Sequence, residues 1–211
     1  MRTLDPTTDA GRRQALAEHL TVMRAQLGER DALLGLFERY NVRLLYYLRR
    51  VVSPPGDAED VLQDVWLTVI KKIATLEQPE AFKGWIYRIA HNRAISRGRS
   101  RRDDFPLEEL TDQALASHTK EVAESAFFGF DPADVHDGLG RLSPPHREVL
   151  TLRFLEELTY EEIADVVGTS LGTVRSRLHY AKRALHEDLA SRSRWRRAAS
   201  GRTIEQQENT P

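Results

Sequence analysis

Residues 159–185 read TYEEIADVVGTSLGTVRSRLHYAKRAL, and their pattern predicts two short helices joined by a tight turn. Thr159 and Glu162 have the spacing of a capping box, which predicts that the first helix begins here. Gly168 predicts its end, because glycine adopts a left-handed backbone conformation without steric cost. Ser170 is then placed to cap a second helix. The segment is therefore predicted to form a helix-turn-helix.

The second of these helices combines an apolar stripe with a cationic face. The residues of the stripe are Val174, Leu178, Ala181 and Leu185. The opposite face carries Arg175, Ser176, His179, Lys182 and Arg183. Such a helix fits the major groove of DNA, although helix pairs with basic faces also occur in proteins that bind no DNA. The two caps, the glycine and a face of one charge sign occur together, which favours DNA binding.

The composition limits the remaining possibilities. The chain has 211 residues, 40% hydrophobic and 30% charged, which is enough for one or two small cores. Helix formers dominate and no window alternates like a strand, so we predict an all-α protein. The absence of cysteine excludes disulfides and thiolate zinc sites. Without a secretory signal or a run of about 18 apolar residues, we expect a cytoplasmic protein that does not insert into membranes.

The charges are segregated along the chain, although the formal net charge is only −1. Residues 83–102 contain seven basic side chains and no acid. Residues 103–137 contain ten Asp or Glu and a single opposing lysine, Lys120. Such separation produces local fields that the mean charge hides, and cationic patches of this kind attract nucleic acid.

Apolar spacing and turn signals predict two small helical domains joined by an acidic flexible linker. The turn at 53–56, SPPG, and the break at Gln78-Pro79 separate helices of the first domain. The predicted segments are a partly helical extension over 1–27, a helical domain over 28–102, the linker over 103–138, a domain over 139–190 that contains the helix-turn-helix, and a disordered tail over 191–211.

Two surfaces of the first domain are candidate binding sites. The acids of 57–64, DAEDVLQD, suit the positive end of a helix dipole, but they also predict a docking surface for a basic protein. In 76–102, aromatic and basic residues alternate as in proteins that bind single-stranded nucleic acid. Phe82 and Trp85 also have core spacing, which favours burial over base stacking.

No catalytic constellation, metal-ligand pair or phosphate-binding loop is recognisable, so we predict neither an enzyme nor a bound cofactor. The histidines are scattered along the chain. His91 and His146 are interpreted as surface or helix-end residues.

Four blocks, in this order, resemble the extracytoplasmic-function (ECF) sigma factors of bacterial RNA polymerase. They are LFERYNVRLLYYLRR from Leu36, DAEDVLQDVWLTVIKK from Asp57, FKGWIYRIAHNRAISRGRSRR from Phe82, and LSPPHREVLTLRFLEELTYEEIADVVGTSLGTVRSRLHYAKRAL from Leu142. The blocks contain 96 of the 211 residues and lie within the span 36–185. Ser96 and Tyr180 depart from the family, which often has an aspartate and a basic residue there.

The resemblance implies a subunit that directs transcription initiation at specific promoters. The implied contacts with the −35 element are Ser170, Thr173, Arg175, Ser176, Arg177, His179, Lys182 and Arg183, and Arg177, Lys182 and Arg183 among them are expected to grip phosphates. The implied contacts with the melted −10 element are Leu76, Glu80, Phe82, Lys83, Arg88, Asn92, Arg93 and Arg97. The implied polymerase-docking residues are Asp60, Gln63, Asp64 and Leu67.

The resemblance also implies the partners: promoter DNA, core RNA polymerase through its β′ clamp coiled coil and β flap, and an anti-sigma factor as a further candidate. One alternative is a stand-alone helix-turn-helix regulator, which would leave the acidic helix and the cationic first domain without a role. Another is a helical adaptor between proteins, whose basic faces would show no salt-dependent affinity for DNA.

Overall fold

The computed structural model of the protein describes residues 9–101 and 130–205. Within these ranges all regular structure is helical, as the sequence predicted. The helices are α1 (Asp9–Gln26), α2 (Arg30–Val51), α3 (Ala58–Lys72), α4 (Phe82–Arg101), α5 (Pro132–Arg141), α6 (Pro144–Leu150), α7 (Tyr160–Val167) and α8 (Leu171–Glu205). Short 3-10 turns follow α2 and α3 and precede α4, and a π-turn (Thr151–Leu155) extends α6.

Helices α1–α4 form the N-terminal unit, with an aromatic core between α2 and α4. Tyr40 and Phe82 meet edge to face with centroids 5.5 Å apart, and Tyr47 and Tyr87 do so at 5.4 Å. Edge-to-face pairs of this kind add to the stabilisation from buried area. Helix α2 ends at Val51, one residue before the predicted SPPG turn. The core thereby fixes α4, which contains six of the eight predicted −10 residues.

Helix α1 belongs to this unit, although the sequence suggested a separate extension over 1–27. Val22 and Ala25 of α1 are buried in the core. The Gln26 side-chain amide donates to the carbonyl oxygens of Ile73 (3.1 Å) and Leu76 (2.6 Å). α1 therefore supports the turn that leads into α4.

Helices α5–α8 form the C-terminal unit, and its helix-turn-helix is the one predicted. Thr159 and Glu162 make both bonds of the capping box, with the Thr159 N–H donating to Glu162 at 2.7 Å and the Glu162 N–H donating to Thr159 at 3.1 Å. Gly168 ends α7 with a left-handed φ of 66°. All four residues of the predicted apolar stripe of α8 are buried: Val174, Leu178, Ala181 and Leu185.

The helices of the structure differ from the predicted segments at two places. Helix α5 spans the predicted boundary between the linker and the second domain, because Asp131 caps it through the Ala133 N–H (2.8 Å) and Leu139 packs into the core. The predicted disordered tail is helical as far as Glu205, because neither glycine nor proline occurs between Gly172 and Gly201. The remainder of the predicted linker, 102–129, lies outside the described residues.

The two units touch each other along α4 and α7 and along α2 and α6. None of the helices in the described ranges has the length and apolar character that a membrane crossing requires.

Candidate nucleic-acid and polymerase interface

The N-terminal part of α8 has the geometry of a recognition helix. Ser170 caps it, since its Oγ accepts from the Thr173 N–H at 3.1 Å. The buried stripe anchors one side of the helix, and Arg175 is exposed on the other. A helix held in this way presents its first two turns to a groove without further rearrangement.

The residues predicted to contact the −35 element differ in accessibility. Ser170, Arg175 and Arg183 are exposed. The half-buried ones are Thr173, Ser176, Arg177 and His179. Lys182 is only 5% exposed, so it does not stand on the outer surface where the sequence placed it. Arg183 donates from Nε to Glu187 at 3.0 Å, which restrains it beside a carboxylate.

The start of α4 is covered by the rest of the fold, as the core spacing of Phe82 predicted. Phe82 is 1% exposed and packs against Tyr40, so its ring supports the helix from inside. Trp85 is half-buried and lies 5.8 Å from Phe82 between ring centroids. Burial lowers the pKa of Lys83, and the neighbouring Arg43 lowers it further, although Glu156 acts in the opposite direction. Lys83 is thus not a freely solvated cation.

The cations farther along α4 lie over the N-terminal unit. Arg93 donates to Thr68 Oγ1 at 2.8 Å, and Arg97 donates to Asp57 (3.1 Å) and Asp60 (3.1 Å). The hydrogen bond to Asp57 raises the pKa of Arg97, as do the charges of Asp57 and Asp60. These bonds orient two of the predicted −10 residues. Thr68 was not among the site residues predicted from the sequence, because its local pattern is that of a core residue.

Arg88 and Asn92 are one helical turn apart and exposed. They form the open face of α4. Leu76, half-buried, and Glu80, exposed, lie in the turn before the helix. The eight predicted −10 residues therefore lie on α4 or in the turn before it, and only some of them are exposed to a ligand.

The predicted docking residues lie together on α3. Asp60, Gln63, Asp64 and Leu67 are all exposed, whereas Val61 and Val65 on the other side are buried. Ile70 extends this face and is 58% exposed. Its spacing of seven residues from Gln63 could have identified it from the sequence.

His91 was interpreted as a surface or helix-end residue, and this was wrong. Its side chain is 13% exposed, and its Nδ1 lies 2.7 Å from Glu148 Oε1 of the C-terminal unit. The same carboxylate oxygen accepts from Tyr47 Oη at 2.5 Å. The sequence contained no signal for this contact, because Glu148 and His91 lie 57 residues apart.

The chain matches two protein families: Sigma-70 region 2 over residues 36–103 and Sigma-70 region 4 over residues 138–187. The RNA polymerase sigma-H factor of Pseudomonas aeruginosa is 32% identical over 80% of this chain and 91% of its own length. The ECF RNA polymerase sigma-E factor of Haemophilus influenzae is 31% identical over 82% of this chain and 98% of its own length.

Solved structures share the fold. The sigma factor RpoE of Bartonella quintana, in complex with the anti-sigma factor NepR, is similar at a TM-score of 0.54 and 25% identity, over 74% of this chain and 97% of that one. CnrH, in complex with the cytosolic domain of CnrY, has a TM-score of 0.58 and 22% identity, over 83% of this chain and 98% of that one.

Proposed function

Because this chain belongs to the ECF sigma factors of RNA polymerase, we propose that its two helical units divide promoter recognition between α8 and α4 while α3 holds the polymerase. The protein acts as an RNA polymerase sigma factor in transcription initiation. The residue-level assignment is supported most directly by the capped helix-turn-helix, which holds Arg175 outward over a buried apolar stripe.

At the −35 element, α8 enters the major groove. Arg175 and Ser176, with His179 one turn later, read base edges, where a good contact is worth about 1–3 kcal/mol of discrimination. Arg177 and Arg183 contact phosphates, which position the helix but carry no sequence information.

At the −10 element, the open face of α4 receives unpaired bases. Each captured base contributes about 1–3 kcal/mol on the scale of base stacking, and each duplex step costs about 1.4 kcal/mol to separate. A few captured bases therefore offset the cost of melting. Arg88 and Asn92 are accessible polar groups for this task, as is Arg93, which bonds to Thr68. The buried Phe82 supports the helix beneath them.

On α3, the face formed by Asp60, Gln63, Asp64 and Leu67 docks on core polymerase at the β′ clamp coiled coil. This face combines the acidic Asp60 and Asp64 with the apolar Leu67, just as many protein interfaces surround an apolar centre with polar residues. The β flap is a further contact for the C-terminal unit. The chain supplies binding surfaces rather than catalytic groups, and we expect it in the cytoplasm, where RNA polymerase acts.

An anti-sigma factor is a further partner that we propose for this chain. RpoE, which shares its fold at 25% identity, is bound to the anti-sigma factor NepR.

In vitro transcription with core polymerase on a library of genomic promoters tests the function. Wild-type protein should add accurate initiation at a defined set of promoters. Asp60→Arg with Asp64→Arg should abolish this and also core binding in a pull-down. The matched control is Asp31→Arg with Glu38→Arg, which places the same charges on exposed positions of α2 and should leave both unchanged.

A stand-alone regulator predicts the opposite pattern. It would bind its DNA site tightly without polymerase, and the α3 variants would not alter that binding. Weak duplex binding by the free protein, with strong binding in the holoenzyme, is the result that our proposal requires.

A further inference from the structure

Thr68 carries a nearly buried hydroxyl at the place where α3 packs on α4. The residue is 8% exposed, and its neighbours Val65 and Val69 on α3 are fully buried. Its Oγ1 donates to the carbonyl oxygen of Asp64, one turn earlier in α3, at 2.7 Å. The same oxygen accepts from Nη2 of Arg93 on α4 at 2.8 Å. Thr68 therefore connects one turn of α3 to a cation of α4.

The bond to Asp64 determines what the Thr68 hydroxyl can offer to α4. A threonine hydroxyl has one proton and two lone pairs. Because the proton is donated to the Asp64 carbonyl oxygen, lone pairs remain for the other partner. A guanidinium has only donors, so it matches such an oxygen. The hydroxyl of Thr68 is thus oriented as an acceptor for Arg93.

Arg93 is held by this bond without being covered. The residue is exposed, and among the residues that the structure describes its guanidinium bonds to Thr68 alone. A guanidinium has five N–H donors in a rigid plane, so most of them remain available to a ligand. The bond to Thr68 restricts a long side chain that would otherwise sample many rotamers. Arg93 is therefore fixed beside Asn92, next to the open face of α4.

Arg97, one turn further along α4, is held in a different way. Its Nε lies 3.1 Å from Asp57 and its Nη2 lies 3.1 Å from Asp60, so both partners are carboxylates. Two negative charges at this distance offset the attraction of Arg97 for a phosphate. Thr68 is neutral and orients Arg93 without offsetting its charge. Of these two arginines, Arg93 therefore combines a fixed position with an undiminished positive charge.

We propose that Thr68 is a positioning residue for the −10 element, which holds Arg93 so that its guanidinium contacts a phosphate of the unpaired strand. This inference rests on the proposed function. Arginine binds phosphate through paired N–H donors, and such a contact depends on orientation as well as on charge. Thr68 lies one turn from Asp64 on the docking helix, so the part of α3 that binds polymerase also places this cation.

The test is the salt dependence of holoenzyme binding to a promoter at which the wild-type protein initiates, with the −10 element held open by mismatched bases. Arg93→Ala should weaken binding about tenfold or more, the size of a hydrogen bond to a charged group. It should also reduce the slope of log affinity against log salt by about 0.7, the value for one phosphate of a single strand.

Variants of Thr68 test the positioning role itself. Thr68→Val replaces the hydroxyl with a methyl group of similar size and should weaken binding about threefold to tenfold, as loss of one net hydrogen bond does. Thr68→Ser keeps the hydroxyl and should bind like wild type. In the Arg93→Ala background, Thr68→Val should cause no further loss, because the group that Thr68 holds is absent.

Thr21→Val is the matched control. Thr21 Oγ1 makes the same kind of bond to the carbonyl oxygen four residues earlier, that of Ala17, at 2.8 Å. It lies on α1, and within the described ranges no arginine donates to it. This variant should bind the open promoter like wild type.

Pull-down of core polymerase and thermal unfolding separate positioning from support of the fold. Thr68→Val should leave both unchanged, since it keeps the docking side chains and the apolar packing. The proposal would be overturned if Thr68→Val bound like wild type, if the losses added in the double variant, or if Thr68→Ser lost as much as Thr68→Val. An equal loss of core binding and promoter binding in Thr68→Val would also overturn it, because Thr68 would then only support α3. Failure of the wild-type protein to initiate at any promoter would instead refute the proposed function.

Discussion

The two DNA-facing helices of this protein present their cations in different ways. In α8, the local sequence both forms the helix and exposes its readout side chain: Arg175 is open to solvent above a buried stripe. In α4, Arg93 and Arg97 are bonded to α3 or to the turn before it, and Lys83 lies against the C-terminal unit. Helix α8, which we propose to bind duplex DNA, thus already exposes its readout arginine. In α4, which we propose to bind single-stranded DNA, three of the cations are held by contacts with other parts of the fold.

The largest effect expected from this comparison is at Phe82. Phe82→Ala should lower the free energy of unfolding by about 3–5 kcal/mol, because it removes a fully buried ring at the start of α4. Denaturant titration would measure the loss.

The conservative variant separates support of the helix from contact with DNA. Phe82→Leu keeps the site apolar, so most of the stability and the ability to initiate should remain. If Phe82→Leu folded normally but could not open promoters, Phe82 would have to contact bases directly, and its ring would have to leave the core when DNA binds.

The effect of Arg175→Ala should be intermediate in size and restricted to the −35 element. We expect a loss of about 1–3 kcal/mol in discrimination between promoters, measured by competition among −35 variants in the holoenzyme. Arg183→Ala should instead weaken binding evenly across sequences, as loss of a phosphate contact does. Equal losses on every promoter in both variants would contradict the assignment of Arg175 as a base reader.

Local features of the fold could be predicted from the sequence because their causes are local. Thr159 and Glu162 bond within one helical turn, and the left-handed conformation of Gly168 depends on its own missing Cβ. The exposed face of α3 follows from helical spacing alone. The same reasoning failed at the C-terminal tail, where composition suggested disorder and α8 continues.

Properties that depend on distant contacts could not be predicted in this way. Lys182 lies on the predicted cationic face of α8 but is 5% exposed. The burial of His91 depends on Glu148, and the position of Glu156 depends on Arg43. Helical periodicity places a residue on a face but does not show which other helix covers that face. These contacts therefore became visible only from the three-dimensional arrangement.

The capping box of α7 permits a prediction of about 1 kcal/mol. Thr159→Ala removes the side-chain acceptor for the Glu162 N–H, and such substitutions typically cost about 0.5–2 kcal/mol. Glu161→Ala, in the same turn but exposed, should change stability by less than about 0.5 kcal/mol. Thermal unfolding of both variants would compare them, and an equal effect would mean that the cap adds no stability of its own.

The smallest effect concerns Arg183, an exposed cation of α8 that forms an ion pair with Glu187. Glu187→Gln removes the partner of Arg183, which should cost only about 0.3–0.5 kcal/mol as an i,i+4 pair on a helix surface. The same change removes a negative charge beside a phosphate-binding side chain. DNA affinity should therefore rise slightly while stability falls slightly, and salt titrations of holoenzyme binding would measure the difference. A parallel fall in both quantities would mean that the pair orients Arg183 for the phosphate, which would make α8 resemble α4 in its dependence on neighbouring groups.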